Sequence, residues 1–140
     1  TILSVLLLPS LNGYQKIVST LKSCKETLKE GGRLIIGTVH PSFDNYMQMG
    51  LLGKQGIDTD FQGYFNTGAK FTFTKQFPGG DFVFEDYHYT LMDYFNAIKD
   101  AGLTLESTDE CPPNTELKDA NPELYDKYSL FPGYIVFVCS

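Results

Sequence analysis

Two apolar runs and the segment between them constrain this chain most. Thr1 to Leu8, "TILSVLLL", and Arg33 to Val39, "RLIIGTV", are nearly continuous in apolar residues. Runs without alternation fit strands covered on both faces, as in a parallel sheet. Pro9 stops the first run, and Ser10 or Asn12 is placed to cap a helix. From Tyr14 to Lys29 the apolar positions are Tyr14, Ile17, Val18, Leu21, Cys24 and Leu28, one helical stripe with Lys16, Lys22, Lys25 and Lys29 largely off it. Strand, helix and strand joined by short loops make a βαβ unit with a right-handed crossover. The chain therefore reads as α/β.

Gly31 and Gly32 lie between the helix end and the second strand. Gly31 suits the left-handed position past a helix C-terminus. A phosphate-binding loop would lie on the other side, between a strand and a helix N-terminus. The pair is therefore read as a turn. His40 falls at the C-terminal end of the second strand, and Pro41 ends the pattern. In open α/β sheets ligands bind just outside that edge.

Residues 41–69 read as an irregular, glycine-containing excursion over the sheet edge. "KFTFTKQF" (70–77) alternates, "PGGD" signals a turn and "FVFEDY" (82–87) resumes, which predicts a hairpin. Thr90 with Asp93 three residues on forms a capping box before the apolar stripe Leu91, Tyr94, Phe95, Ile98, and Gly102 ends that helix. "LTLEST" (103–108) reads as a third sheet strand. Pro112 and Pro113 mark a loop, Asn121 and Pro122 open a short helix, and "GYIVFVCS" (133–140) reads as a central strand.

At 140 residues this is one domain, 1–140, with 41–89 as an inserted segment. Net charge is -6, and residues 81–140 hold twelve acids against Lys99, Lys118 and Lys127. No basic stripe with interleaved aromatics appears, which argues against nucleic acid as a partner. No apolar run approaches the ~18 residues of a membrane span. Cys24, Cys111 and Cys139 lack metal-ligand spacing and read as reduced thiols of a cytoplasmic protein. The opening "TILSVLLLPS" lacks an initiator Met and a signal peptide, and is read as the start of a piece of a longer protein.

"LKEGGRLIIGTVHPSF" (Leu28 to Phe43) resembles a passage of class I S-adenosylmethionine-dependent methyltransferases, with Leu28, Lys29, Gly31, Gly32, Arg33 and Leu34 matching an L-K-P-G-G-x-L motif and Glu30 replacing its proline. "YHYTLMDYFNAIKDAGL" (Tyr87 to Leu103) is similar to the Y-H-x-T segment of small-molecule methyltransferases of this class. The ending, a loop with Pro132 and an apolar strand, is a third match. The resemblance implies half of a Rossmann-like sheet. Residues 1–8, 33–39, 103–108 and 133–139 correspond to the fourth, fifth, sixth and seventh strands, laid out four, five, seven, six with the seventh antiparallel. The preceding half, with the glycine-rich loop and the acidic residue that grip the cofactor, has no counterpart here.

What the resemblance implies for function is methyl transfer from S-adenosylmethionine to a small-molecule acceptor by a longer enzyme, with this piece binding cofactor weakly or not at all. The candidates for a general base are His40 and His88, since imidazole titrates near neutrality. The alternative roles are a loop hydrogen bond for His40 and hairpin packing or a cap contact for His88. Tyr46, Tyr64, Phe65 and Tyr89 are candidate walls of a substrate pocket on a lid over residues 41–89, or core of that segment. Pro9 and Ser10 are the candidate cofactor contacts. No spacing supports a metal. An unpaired strand 1–8 is an association hazard, so the expectation is that this edge pairs with a second copy or that the chain folds only with its missing half. Two other readings stay open: a non-catalytic binding module that kept the fold, and another doubly wound enzyme such as a nicotinamide-dependent oxidoreductase.

Overall fold

The computed structural model describes residues 1–43 and 56–140. In chain order the elements are β1 (Ile2–Val5), a 3-10 turn (Leu8–Ser10), α1 (Tyr14–Thr27), β2 (Leu34–Val39), β3 (Gly56–Thr59), β4 (Lys70–Phe77), β5 (Gly80–Tyr87), α2 (Leu91–Asp100), β6 (Leu105–Cys111), α3 (Thr115–Ala120), α4 (Pro122–Leu130) and β7 (Tyr134–Cys139).

The apolar runs form a four-stranded sheet in the order β1-β2-β7-β6. β1 runs parallel to β2, with Ile2 opposite Leu34 and Val5 opposite Gly37. β7 runs antiparallel to both β2 and β6. This is the four, five, seven, six layout expected from the sequence, and the mixed α/β class stands.

One face of this sheet carries the core. Leu34, Ile36, Ile135 and Phe137 are buried there, together with Ile17, Val18 and Leu21 of α1 and Tyr94, Ala97 and Ile98 of α2. Each such side chain contributes roughly 1.5–3 kcal/mol by leaving water. The 3.6-residue stripes in the sequence are what give α1 and α2 an apolar face to lay on the sheet. The helices are tied to each other as well. The Lys25 ammonium donates to the Gly102 carbonyl, and the Tyr14 hydroxyl donates to Asp100 at 2.8 Å.

The first strand differs from its expected form. It spans four residues rather than eight, because Leu6 turns the backbone into the left-handed region at φ 54°. It is not covered on both faces either: Leu3 and Val5 are 69% and 70% exposed. The reason is that α1 and α2 cover the face bearing Ile2 and Ser4, while Leu3 and Val5 share the opposite face with Ile35 and Gly37. α1 is capped by Gly13, not by a side chain of Ser10 or Asn12. β6 begins at Leu105 and runs on to Cys111, beyond the expected 103–108. The excursion is not wholly irregular, since β3 pairs antiparallel with β4 and makes a three-stranded sheet with the expected β4–β5 hairpin. A helix the sequence reading missed, α3, opens on Asn114, whose side chain accepts from Leu117 N–H.

The glycine pair behaves as the turn it was read to be. Gly31 takes φ 67°, and a Cβ on Gly32 would sit 2.7 Å from the Lys29 carbonyl oxygen.

Candidate functional site

The C-terminal ends of β1 and β2 and the end of β5 converge on one edge, where both β2 and β5 contact the 3-10 turn Leu8–Ser10. Tyr89 meets the segment that follows this turn, and His88 and His40 each sit in a hydrogen-bonded group of their own.

The loop after β1 starts at Leu6. A leucine with positive φ stores about 1–2 kcal/mol of backbone strain, and such residues cluster at functional sites. The Leu6 amide still donates to the Gly37 carbonyl at 2.8 Å, which holds the turn against β2. Pro9 is buried at the heart of the 3-10 turn. Ser10 is exposed and its hydroxyl donates back to the Leu7 carbonyl at 2.7 Å. Tyr89 fastens the same loop from across the sheet. Its hydroxyl donates to the Leu11 carbonyl at 2.6 Å and accepts from Gly13 N–H at 2.8 Å. Its ring is buried in the core, and burial raises its pKa. Tyr89 thus acts on the loop through its hydroxyl, with no open ring face.

His88 is fully buried, edge-on to Phe61 and to Tyr64. Its Nε2 lies 2.7 Å from the Tyr64 carbonyl oxygen. A carbonyl only accepts, so Nε2 carries the proton. Tyr64 reaches further, its hydroxyl accepting from the Leu91 amide at the first turn of α2. Thr90 and Asp93 form the expected capping box, and Thr67 donates to the same Asp93 oxygen at 2.7 Å. Phe65 stands edge-on to Tyr64 and is 90% exposed. Tyr46, the remaining candidate pocket residue, lies outside the described residues.

His40 ends β2 as the sequence reading had it. It is buried, and its backbone N–H donates to the Gly133 carbonyl at 3.0 Å. Nδ1 accepts the Ser42 amide at 3.1 Å and lies 2.6 Å from the Ser42 hydroxyl. Nε2 lies 3.1 Å from a carboxylate oxygen of Glu110 on β6. Neither Ser42 nor Glu110 was singled out from the sequence. Glu110 is seventy residues away from His40, and only the strand order brings it near.

Two buried hydroxyls on neighbouring strands, Ser4 and Thr38, make no hydrogen bond among the described residues. Unsatisfied buried hydroxyls are rare enough that each calls for a partner or a role. Thr38 lies two residues before His40 on the same face of β2, so the polar groups crowd toward the strand's C-terminal end. No three His, Cys, Asp or Glu residues gather with metal-binding geometry among the described residues. On the opposite face of the sheet Leu3, Val5, Leu6 and Val136 line an open apolar groove of about 320 Å³ over Gly37.

No protein-family profile matches the chain, and no curated protein matches it either. Solved structures do. An assigned S-adenosylmethionine-dependent methyltransferase from Listeria monocytogenes superposes with a TM-score of 0.66 at 27% identity, over 98% of this chain and 59% of that one. An S-adenosylmethionine-dependent methyltransferase from Mesorhizobium loti gives 0.64 at 18% identity, with the same coverage of 98% and 59%. A complex of DhpI with SAM and HEP gives 0.52 at 11% identity, over 99% of this chain and 49% of that one. The chain thus spans well under two thirds of the length of each of these structures.

Proposed function

We propose that this chain, which carries the fold of S-adenosylmethionine-dependent methyltransferases over a stretch that fits their C-terminal half, belongs to an enzyme that methylates a small molecule. The observation that carries the reading is the match over 98% of the chain at 27% identity, with its sheet in the order β1-β2-β7-β6 and β7 antiparallel. The cofactor is S-adenosylmethionine.

The residues present fit one flank of that cofactor. The strained turn at Leu6, the buried Pro9 and the exposed Ser10 lie at the C-terminal end of β1, where α/β sheets hold their ligands. The Ser4 and Thr38 hydroxyls, unpartnered among the described residues, lie on the neighbouring strands β1 and β2. When bound, S-adenosylmethionine supplies an already activated methyl group on a sulfonium. The chain's own work is then to orient the acceptor, exclude water and take up a proton. Orientation alone is worth up to about 7–11 kcal/mol in intramolecular reactions.

In this reading His40 and His88 hold the base function, Tyr64 and Phe65 form the acceptor side, and Tyr89 keeps the Leu11–Gly13 loop in place. The exposed ring of Phe65 is suited to being covered by an apolar acceptor. The 140-residue chain binds the cofactor weakly or not at all, because the matched stretch is only 59% of the Listeria structure. It self-associates through the edge of β1 that has no partner strand among the described residues. Three cysteines unpaired with one another suit a reducing compartment, and we assign the cytoplasm. No described helix is long and apolar enough to cross a membrane.

Calorimetric titration with S-adenosylhomocysteine tests the reading. The 140-residue chain gives no saturating micromolar binding, while the protein extended upstream by its own coding sequence does. Micromolar binding by the shorter chain, or none by the longer, overturns the proposal.

A further inference from the structure

We propose that Ser42 is the residue through which His40 takes the acceptor's proton, and that Glu110 is the positioning residue that sets the state of the His40 ring. The inference rests on the methyltransferase reading above and goes beyond it by naming the atoms.

The tautomer follows from one hydrogen bond. The Ser42 backbone N–H donates to His40 Nδ1 at 3.1 Å. A ring nitrogen that accepts an amide proton carries none itself. The neutral ring therefore holds its proton on Nε2, and that N–H donates to Glu110 Oε1 at 3.1 Å. The second contact at Nδ1, the Ser42 hydroxyl at 2.6 Å, then has only one possible direction: the hydroxyl donates. A short O–H···N bond of this kind leaves the serine oxygen with lone pairs to accept another proton, which is how a histidine activates a hydroxyl.

Both ring nitrogens are engaged and the His40 side chain is only 6% exposed, so an acceptor meets Ser42 before it meets the ring. Glu110 is suited to its role by place and by charge. It lies on β6 opposite Ile135, which in turn lies opposite Thr38 on β2. The Glu110–His40 bond thus bridges β7 and ties three strands at the sheet edge. Its side chain is 58% exposed, so the carboxylate keeps its contact with solvent and escapes the desolvation penalty of burial.

The acceptor's oxygen or nitrogen forms its bond to the methyl carbon as the carbon–sulfur bond breaks, the bonding pair staying on sulfur. The acceptor's proton passes to Ser42 Oγ while the serine proton passes to His40 Nδ1. The Ser42 amide releases Nδ1 as it is protonated, and the imidazolium is held against Glu110 until its extra proton leaves to water.

The test has a spectroscopic arm and a kinetic arm. Nitrogen-15 NMR of the histidine rings in this chain shows His40 with Nδ1 bare and Nε2 protonated. Glu110→Ala moves the two signals toward a tautomer average, and Glu110→Gln, whose amide oxygen still accepts, restores them. A ring protonated at Nδ1, or a tautomer indifferent to Glu110→Ala, overturns the assignment. In the upstream-extended protein, methyl transfer from labelled S-adenosylmethionine is followed on a panel of simple phenols, carboxylic acids and amines. Ser42→Ala lowers kcat at least tenfold with KM little changed, and Ser42→Thr, which keeps the hydroxyl, stays within threefold of the unaltered protein. Full kcat in Ser42→Ala overturns the relay. If the unaltered protein binds S-adenosylhomocysteine yet methylates nothing on the panel, the relay falls while the cofactor reading stands.

Discussion

At the scale of single residues, the informative groups are those whose partners the sequence does not announce. His40 was legible as a polar residue ending a buried strand, but its partner Glu110 was not, because nothing local ties residues seventy apart. Leu6 is a second case. Leucine has no preference for positive φ, so no pattern foretells a turn there, and only the pairing of β1 with β2 reveals it. Two predictions belong here. Thr38→Val removes a buried hydroxyl that has no partner among the described residues, so stability is unchanged or rises by up to about 1 kcal/mol. Urea unfolding measures this, and a loss of more than that shows the hydroxyl to be paired. Cys139 supplies the pH prediction. Burial first, and then the Glu106 carboxylate, push its pKa from 9.0 up to about 11. Above pH 9 the unfolded thiol has given up its proton while the folded one keeps it. The folded state therefore loses stability as pH rises between those values. Thermal melts of the parent protein fall more steeply over that interval than those of Cys139→Ala, and parallel slopes would contradict the burial argument.

At the scale of elements, local chemistry carried most of the information. The capping box of α2, the Asn121–Pro122 start of α4, the hairpin and the glycine pair were all readable because their signals span four residues or fewer. β3 escaped because its partner β4 lies beyond an intervening loop, and α3 escaped because its six residues bury no side chain and so carry no apolar stripe. Gly32→Ala puts a methyl 2.7 Å from a backbone oxygen that cannot retreat. It destabilises by about 1–3 kcal/mol, more than Gly31→Ala, where the penalty is the left-handed backbone alone at about 1 kcal/mol. Denaturant midpoints of the two variants give the order. At the other helix, Thr67 and Thr90 both donate to Asp93. Thr90→Ala loses about 1 kcal/mol of capping, and a double-mutant cycle with Thr67→Ala returns a non-zero coupling because the two share one carboxylate. Strict additivity would mean that the shared oxygen is not shared in solution.

At the scale of the whole molecule, the sheet order was legible through resemblance and confirmed by register, whereas the one-sided covering of the sheet was not. Apolar runs say that a strand is to be buried but not what buries it. Here α1 and α2 cover one face, and Leu3, Val5 and Tyr134 stand exposed on the other. Among the described residues β1 has a partner strand on one side alone. An edge of this kind promotes pairing with another chain, and a lysine on it blunts that tendency. Val5→Lys therefore shifts the protein toward monomer in sedimentation velocity at tens of micromolar, while its circular dichroism stays unchanged. An unaltered protein that sediments as a monomer at every concentration removes the premise. The outer rim of β1, without a partner strand among the described residues, also has a practical use. A ladder that ends in unspent amide and carbonyl groups is a socket, and a separately expressed polypeptide supplying the adjoining strand would plug into it. The chain is in that sense ready-made for assembly with a second polypeptide, and a strand tethered to a reporter would show when the two have met.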